Sequence, residues 1–217
     1  MFNKNILITR PAYDDATAYL YAYSEQFPDM AREHGLNPID LKNERATKKE
    51  FESVIKKQKP VCLILNGHGD DGMVVGQKNE VLVSLGDNHQ LLDGTIVYAR
   101  ACRAAAGLGA KTVGIIKAPK TFIGYVHDFL FFLNNTQTAT PLRDDYAAPC
   151  LNASNAIPEA LLKGHTAAEA VHKSEEHTKK EIQYLLTHYS PAASHILFAL
   201  RWNKAVMQLY GDKTAHL

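Results

Sequence analysis

The 217-residue chain carries 24 Lys+Arg against 23 Asp+Glu, a formal net charge of +1 at pH 7. That balance lacks the basic footprint of a nucleic-acid binder or a membrane-surface protein, so neither partner is expected. Three cysteines, Cys62, Cys102 and Cys150, in no C-x-x-C spacing suggest neither a disulfide framework nor a zinc knuckle, and the length suits one domain, residues 1–217, in a reducing cytoplasm.

The opening "MFNKNILITRPAYDD" reaches Arg10, Pro11 and two aspartates after a short apolar run, too soon for a signal-peptide core, and no run approaches membrane-spanning length. Through the first 125 residues, short β-branched runs alternate with helical patterns, the habit of strand-helix-strand units around a parallel sheet. Strands are predicted near Ile6–Thr9, Pro38–Leu41, Val61–Asn66, Thr95–Ala99 and Thr121–Ile123. Between the first two, Asp14 or Asp15 caps a helix that Gly35 ends, and Pro28 breaks or kinks it. The segment "TKKEFESVIKKQK" opens on Thr47 with Glu50 three residues on, a capping-box pattern, and closes in lysines that suit the negative end of the helix dipole.

After Gly72, "MVVGQKNEVLVSLG" places two β-leaning stretches around Gln77-Lys78-Asn79 and reads as a small hairpin. From about Val126 the pattern turns helical. "SNAIPEALLKG" and "TAAEAVHKSEEHTKKEIQYLLTHY" flank Gly164-His165, Thr166 and Glu169 form a second capping box, and Glu175/Lys179 and Glu176/Lys180 are spaced as i,i+4 pairs. A helix over about Pro191–Trp202 precedes "KAVMQLYGD", whose apolar body is one more strand. His172, His177 and His188 on the charged helix lack metal-ligand spacing, and no metal or organic cofactor is called for.

Two readings compete for "VCLILNGHGDDG". Gly67, Gly69 and Gly72 spell G-x-G-x-x-G, the dinucleotide fingerprint, but that site needs a helix to begin at its last glycine, and Asp70 and Asp71 repel phosphate. In the other reading His68 is a base at a strand end. Its partner is "TIVYARACRAAAG", where a second apolar strand ends at Cys102 before small, helix-forming alanines. If the two strands are neighbours in a parallel sheet, their carboxyl ends bring His68 and Cys102 to one edge, where open α/β sheets place their ligands. A thiol beside an imidazole is the minimal cysteine nucleophile, and a helix N-terminus at Cys102 favours the thiolate. The Gly69 and Cys102 amides are candidate oxyanion donors, and Asn66 is placed to help fix the loop. Cys62 and Cys150 are expected to be small apolar core residues.

An apolar strand ending in His-Gly, then one ending in Ala-Cys, resembles the caspase-like (clan CD) cysteine peptidases. The 34 positions between His68 and Cys102 are fewer than the roughly 50 of caspases, and the Gln-Ala-Cys-x-Gly pentapeptide is absent, so the likeness is to the gingipain and CHAT-domain branch of bacteria and archaea. Softer matches are "ILITRPAYDDATAYL", "KTFIGYVHDF", "SNAIPEALLKGHTAAEAV" and "LRWNKAVMQLYGD". The resemblance implies a three-layer α/β sandwich with a mostly parallel central sheet and a helical C-terminal portion. It implies a hydrolase acting on protein or peptide substrates, with Cys102 as nucleophile and His68 as general acid/base. It also places Gly124, Tyr125 and Asp128 at the pocket for the residue preceding the cut. Asp128 pointing inward favours a basic substrate residue, whereas as a helix N-cap it has no such effect; Asp70 and Asp71 offer another acidic rim or a plain turn. Restraint by self-cleavage, a ligand or a regulatory partner is expected. The alternatives are a catalytically weak CHAT-like interaction module and a nucleotide binder at Gly67–Gly72.

Overall fold

A computed structural model describes residues 4–114, 118–188 and 190–217. The chain forms a mixed α/β architecture around a mostly parallel sheet. Strands β1 (Asn5–Arg10), β2 (Asn37–Lys42), β3 (Cys62–Asn66), β7 (Ile96–Arg100), β8 (Thr121–Tyr125) and β9 (Met207–Gly211) lie in the order β2-β1-β3-β7-β8-β9. All neighbours are parallel except β9, which pairs antiparallel with β8 at the edge, Tyr125 opposite Met207. A separate small sheet holds β4 (Gly69–Asp70), β5 (Met73–Val75) and β6 (Val81–Ser84), the hairpin foreseen after Gly72 with one short strand added.

The central strands are apolar throughout because both faces are covered. Alternation divides them: Leu7, Leu63, Leu65, Val97 and Phe122 face α3 (Lys48–Gln58) and the small sheet. Ile6, Ile8, Cys62, Ile64, Tyr98 and Ile123 face α2 (Phe27–Glu33), α5 (Ala148–Leu162) and α6 (Ala167–Thr187). The result is a three-layer sandwich. Helix α7 (Ala193–Val206) packs outside α5 and α6, and runs directly into β9.

Local signals explain most boundaries. The first helical stretch is two helices, α1 (Asp15–Tyr23) and α2, with Pro28 accommodated in the first turn of the second rather than kinking one long helix. Asp14 caps α1 in a reciprocal box with Thr17, and Thr166 with Glu169 does the same for α6. Thr47 accepts the Glu50 amide, but the return bond is missing because Glu50 turns to Arg45. On α6, Glu176 pairs with Lys173 and His172 rather than with Lys180, and Glu175 reaches Lys204.

The largest departure lies after β8. Instead of helix from Val126, the chain runs as an extended strap and turns until α5 begins at Ala148. Asp144, fully buried, fixes its far end: Oδ2 accepts the Asn134 amide and the Tyr19 hydroxyl, and Oδ1 the Tyr146 amide.

Candidate active site

Strands β3 and β7 are adjacent and parallel, with Asn66 opposite Arg100. Two residues beyond, His68 and Cys102 leave the same carboxyl edge of the sheet, as expected if the two strands were neighbours. Gly69 packs so closely on the cysteine turn that a β-carbon on it would stand 2.9 Å from the Cys102 carbonyl oxygen and 3.0 Å from the Ala101 β-carbon. The hairpin tip is seated as tightly. The Leu108 amide donates to the Asp71 carbonyl at 2.8 Å, and a β-carbon on Gly107 would fall 1.6 Å from that oxygen.

The segment after Cys102 is not the regular helix foreseen. Arg103 takes a left-handed φ of 56°, a π-type turn follows over Ala105–Gly109, and only Ala110–Thr112, α4, is α-helical. No helix N-terminus therefore favours the thiolate at Cys102. Burial instead pushes the Cys102 thiol above its ordinary value; the nearby Phe129 backbone and Arg103 oppose that rise, and Asp128 adds to it. Cys62 and Cys150 are buried core thiols pushed up to about 12 by burial.

His68 has a partner that spacing alone does not reveal. Its Nε2 lies 2.7 Å from Asp14 Oδ2, while Asp14 Oδ1 accepts the Thr17 amide and hydroxyl at 2.8 and 2.7 Å. One carboxylate thus caps α1 and holds the imidazole. Burial alone would raise the Asp14 carboxyl, but the two Thr17 bonds and then His68 hold it below its usual value. The ring stands edge-on to Tyr13, centroids 6.0 Å apart. Gln77 clamps both the amide and the carbonyl of Ala12, and the Tyr13 hydroxyl donates to Asn79, so the hairpin braces the loop that carries Asp14. With Nε2 engaged, Nδ1 is the nitrogen left for the thiol. Among the described residues no hydrogen bond joins His68 to Cys102.

Neither proposed oxyanion donor gives its N–H to an oxygen among the described residues. The Val75 amide donates to the His68 carbonyl, which makes Gly69/Val74 a non-hydrogen-bonded pair and turns the Gly69 N–H away from the hairpin. The Cys102 amide has no oxygen acceptor among the described residues and lies against its own Sγ. Beneath them lies Arg100, fully buried and without a carboxylate. Nε and Nη2 donate to Asn66 Oδ1 at 3.0 and 2.7 Å, Nη1 to Asn155 Oδ1 at 2.6 Å, and Nη2 also to the Leu20 carbonyl. Asn66 in turn donates to the Thr9 carbonyl. Asn66 was expected to help fix the His68 loop; its side chain instead holds β1 and a buried arginine that the sequence did not single out.

A cavity of about 240 Å³ opens beside the pair. Gly67, His68, Arg100, Ala101 and Cys102 form its base; Ala16 and Leu20 of α1 face the strap residues Phe129, Leu130, Phe131 and Leu133. The substrate residues drawn from the resemblance are not in it. Gly124 and Tyr125 are buried in β8, with Tyr125 one layer behind the cavity, its ring 4.7 Å from that of Phe129. Asp128 neither lines the cavity nor caps a helix: it is exposed, 3.6 Å from Arg103. Asp71 lies 3.6 Å from the same guanidinium, and Asp70 accepts the Gly72 amide in the hairpin turn. Gly72 sits in that turn, so no helix begins there to receive a pyrophosphate.

Comparison with protein-family models and with curated proteins returns no match. Among the described residues no helix is long and apolar enough to cross a membrane.

Proposed function

We propose that the chain is a caspase-like cysteine endopeptidase, with Cys102 as nucleophile and His68 as general acid/base. The observation that carries the reading is the placement of these two residues just past the carboxyl ends of adjacent parallel strands, lining one cavity, with two nearby amides that have no oxygen acceptor among the described residues. In the reaction His68 Nδ1 takes the thiol proton as Sγ attacks the peptide carbonyl carbon. The Gly69 and Cys102 amides hold the oxyanion, and His68 returns the proton to the leaving amine. Water then attacks the thioester, giving up its proton through His68, and releases the carboxylic product. Asp14 does not touch substrate; it fixes the ring orientation and supports the imidazolium.

The raised thiol and the missing His68–Cys102 bond fit a resting state that is not yet engaged. On this reading a protein substrate, a ligand or a regulatory partner draws the two together, in a reducing cytoplasm and without metal or cofactor. The same two observations favour the second reading, an interaction module that binds a partner through this edge and turns over poorly.

The test is cleavage of a fluorogenic peptide library by the wild type, Cys102→Ala and His68→Ala. Turnover lost in both variants supports the peptidase. Turnover kept in Cys102→Ala overturns it, and silence from the wild type together with no labelling of Cys102 by peptide electrophiles favours the interaction module.

A further inference from the structure

Resting on the peptidase reading, we infer that the side chain preceding the scissile bond is large and uncharged, an aliphatic or aromatic residue seated between α1 and the strap. The cavity touches Cys102 and His68 directly, so the residue whose carbonyl is attacked is the one placed to fill it. Its walls are Ala16, Leu20, Phe129, Leu130, Phe131 and Leu133, all apolar. Among the described residues no carboxylate lines it, which leaves a lysine or arginine without a counter-charge against apolar walls. Asp14 is committed to His68 and Thr17, and Asp128 to Arg103. Arg100 at the base is no receptor for an acidic side chain, because it is 0% exposed and its donors are turned to Asn66, Asn155 and Leu20.

The walls are also held in place before any ligand arrives. Asn203 of α7 donates to the Leu130 carbonyl and accepts the Leu130 amide, at 2.7 and 2.8 Å, and Trp202 Nε1 donates to the Asp128 carbonyl at 2.8 Å. Phe129 packs at a tilt between Tyr125 and Phe131. A fixed apolar slot of this kind selects by size and by absence of charge.

The experiment uses peptidyl acyloxymethyl ketones that differ only in the residue next to the electrophile: Leu, Phe, Met, Gly, Arg or Asp. The thiolate forms a thioether and expels the carboxylate, so the rate of Cys102 labelling, read by mass spectrometry, reports occupancy of the slot without needing turnover. Leu, Phe and Met are expected to label about tenfold or more faster than Gly, Arg or Asp. Ala16→Glu, an acidic residue suited to the first turn of α1, should shift the preference toward Arg, and Ala16→Phe should slow Phe more than Gly. Labelling that depends on His68 but is flat or charge-selective overturns the slot and keeps the peptidase. Apolar-selective labelling unaffected by His68→Ala, with no peptide cleaved, keeps the slot and overturns the peptidase. No labelling by any member overturns both.

Discussion

Asp14 Oδ2 meets His68 Nε2 at 2.7 Å while the other oxygen of the same carboxylate caps α1. Folding the helix and aiming the imidazole are therefore one event, and the two roles can be separated by substitution. Asp14→Asn keeps an acceptable cap and should lose less stability than Asp14→Ala, which should lose about 1 kcal/mol for the cap. Both should cut peptide turnover, by about tenfold or more, because the ring loses its anionic partner. Equal turnover in wild type and Asp14→Asn would remove Asp14 from the mechanism.

The same carboxylate ties stability to pH. Its value is lowered on folding, so its contribution is complete above the unfolded value of about 4 and is lost as pH falls through the lower folded value. Urea unfolding followed from pH 7 down to about pH 2 should show a steeper loss for the wild type than for Asp14→Asn across that acid window. Parallel curves would show that the carboxylate carries no net linkage.

Cys102 shifts in the opposite sense. Burial holds the thiol above its ordinary value, so the resting protein carries little thiolate at neutral pH. Alkylation by iodoacetamide should accelerate with an inflection above about 8.5, the unperturbed value. Cys62 and Cys150, pushed up to about 12, should stay unmodified until the protein unfolds. A Cys102 inflection below the ordinary value would mean that the thiolate is preformed.

The glycines at the cysteine turn are set by close approach. Gly69→Ala puts a methyl group 2.9 Å from the Cys102 carbonyl and should cost about 1–3 kcal/mol while forcing the histidine and cysteine turns apart. Gly107→Ala meets the Asp71 carbonyl at 1.6 Å and should cost more. Thermal melts rank the two, and a wild-type melting temperature for Gly107→Ala would contradict the seating of the hairpin tip.

Arg100→Lys tests the buried network. Lysine retains charge but not the fork that spans Asn66 and Asn155, and should destabilise by about 2–3 kcal/mol in urea. An unchanged midpoint would show that the network contributes nothing net.

What the sequence disclosed, and what it withheld, follows from range. Strand runs such as Cys62–Asn66 and the caps at Asp14 and Thr166 are local, and periodicity or one side-chain oxygen announces them. The placement of His68 and Cys102 at one sheet edge was legible because consecutive apolar strands in an α/β pattern tend to neighbour each other. Asp14 read only as a cap, since its second oxygen reaches across 54 positions. Arg100 lay hidden inside an apolar run, with its acceptors spread over β3, α1 and α5. The strap misled because Phe129–Leu133 is apolar enough to resemble buried helix, yet its backbone is satisfied by Asn203 and Trp202 of a helix some 70 positions later.

The hydrogen bonds that those two side chains make to the strap go to main-chain atoms. Asn203 holds Leu130 by its amide and carbonyl and would hold any non-proline residue in the same way. The position of the wall is thus encoded on α7 and its surface on the strap, in separate stretches of sequence. Substitutions at 129–133 can diversify what the cavity accepts while the register persists, so selectivity and architecture are free to drift at independent rates.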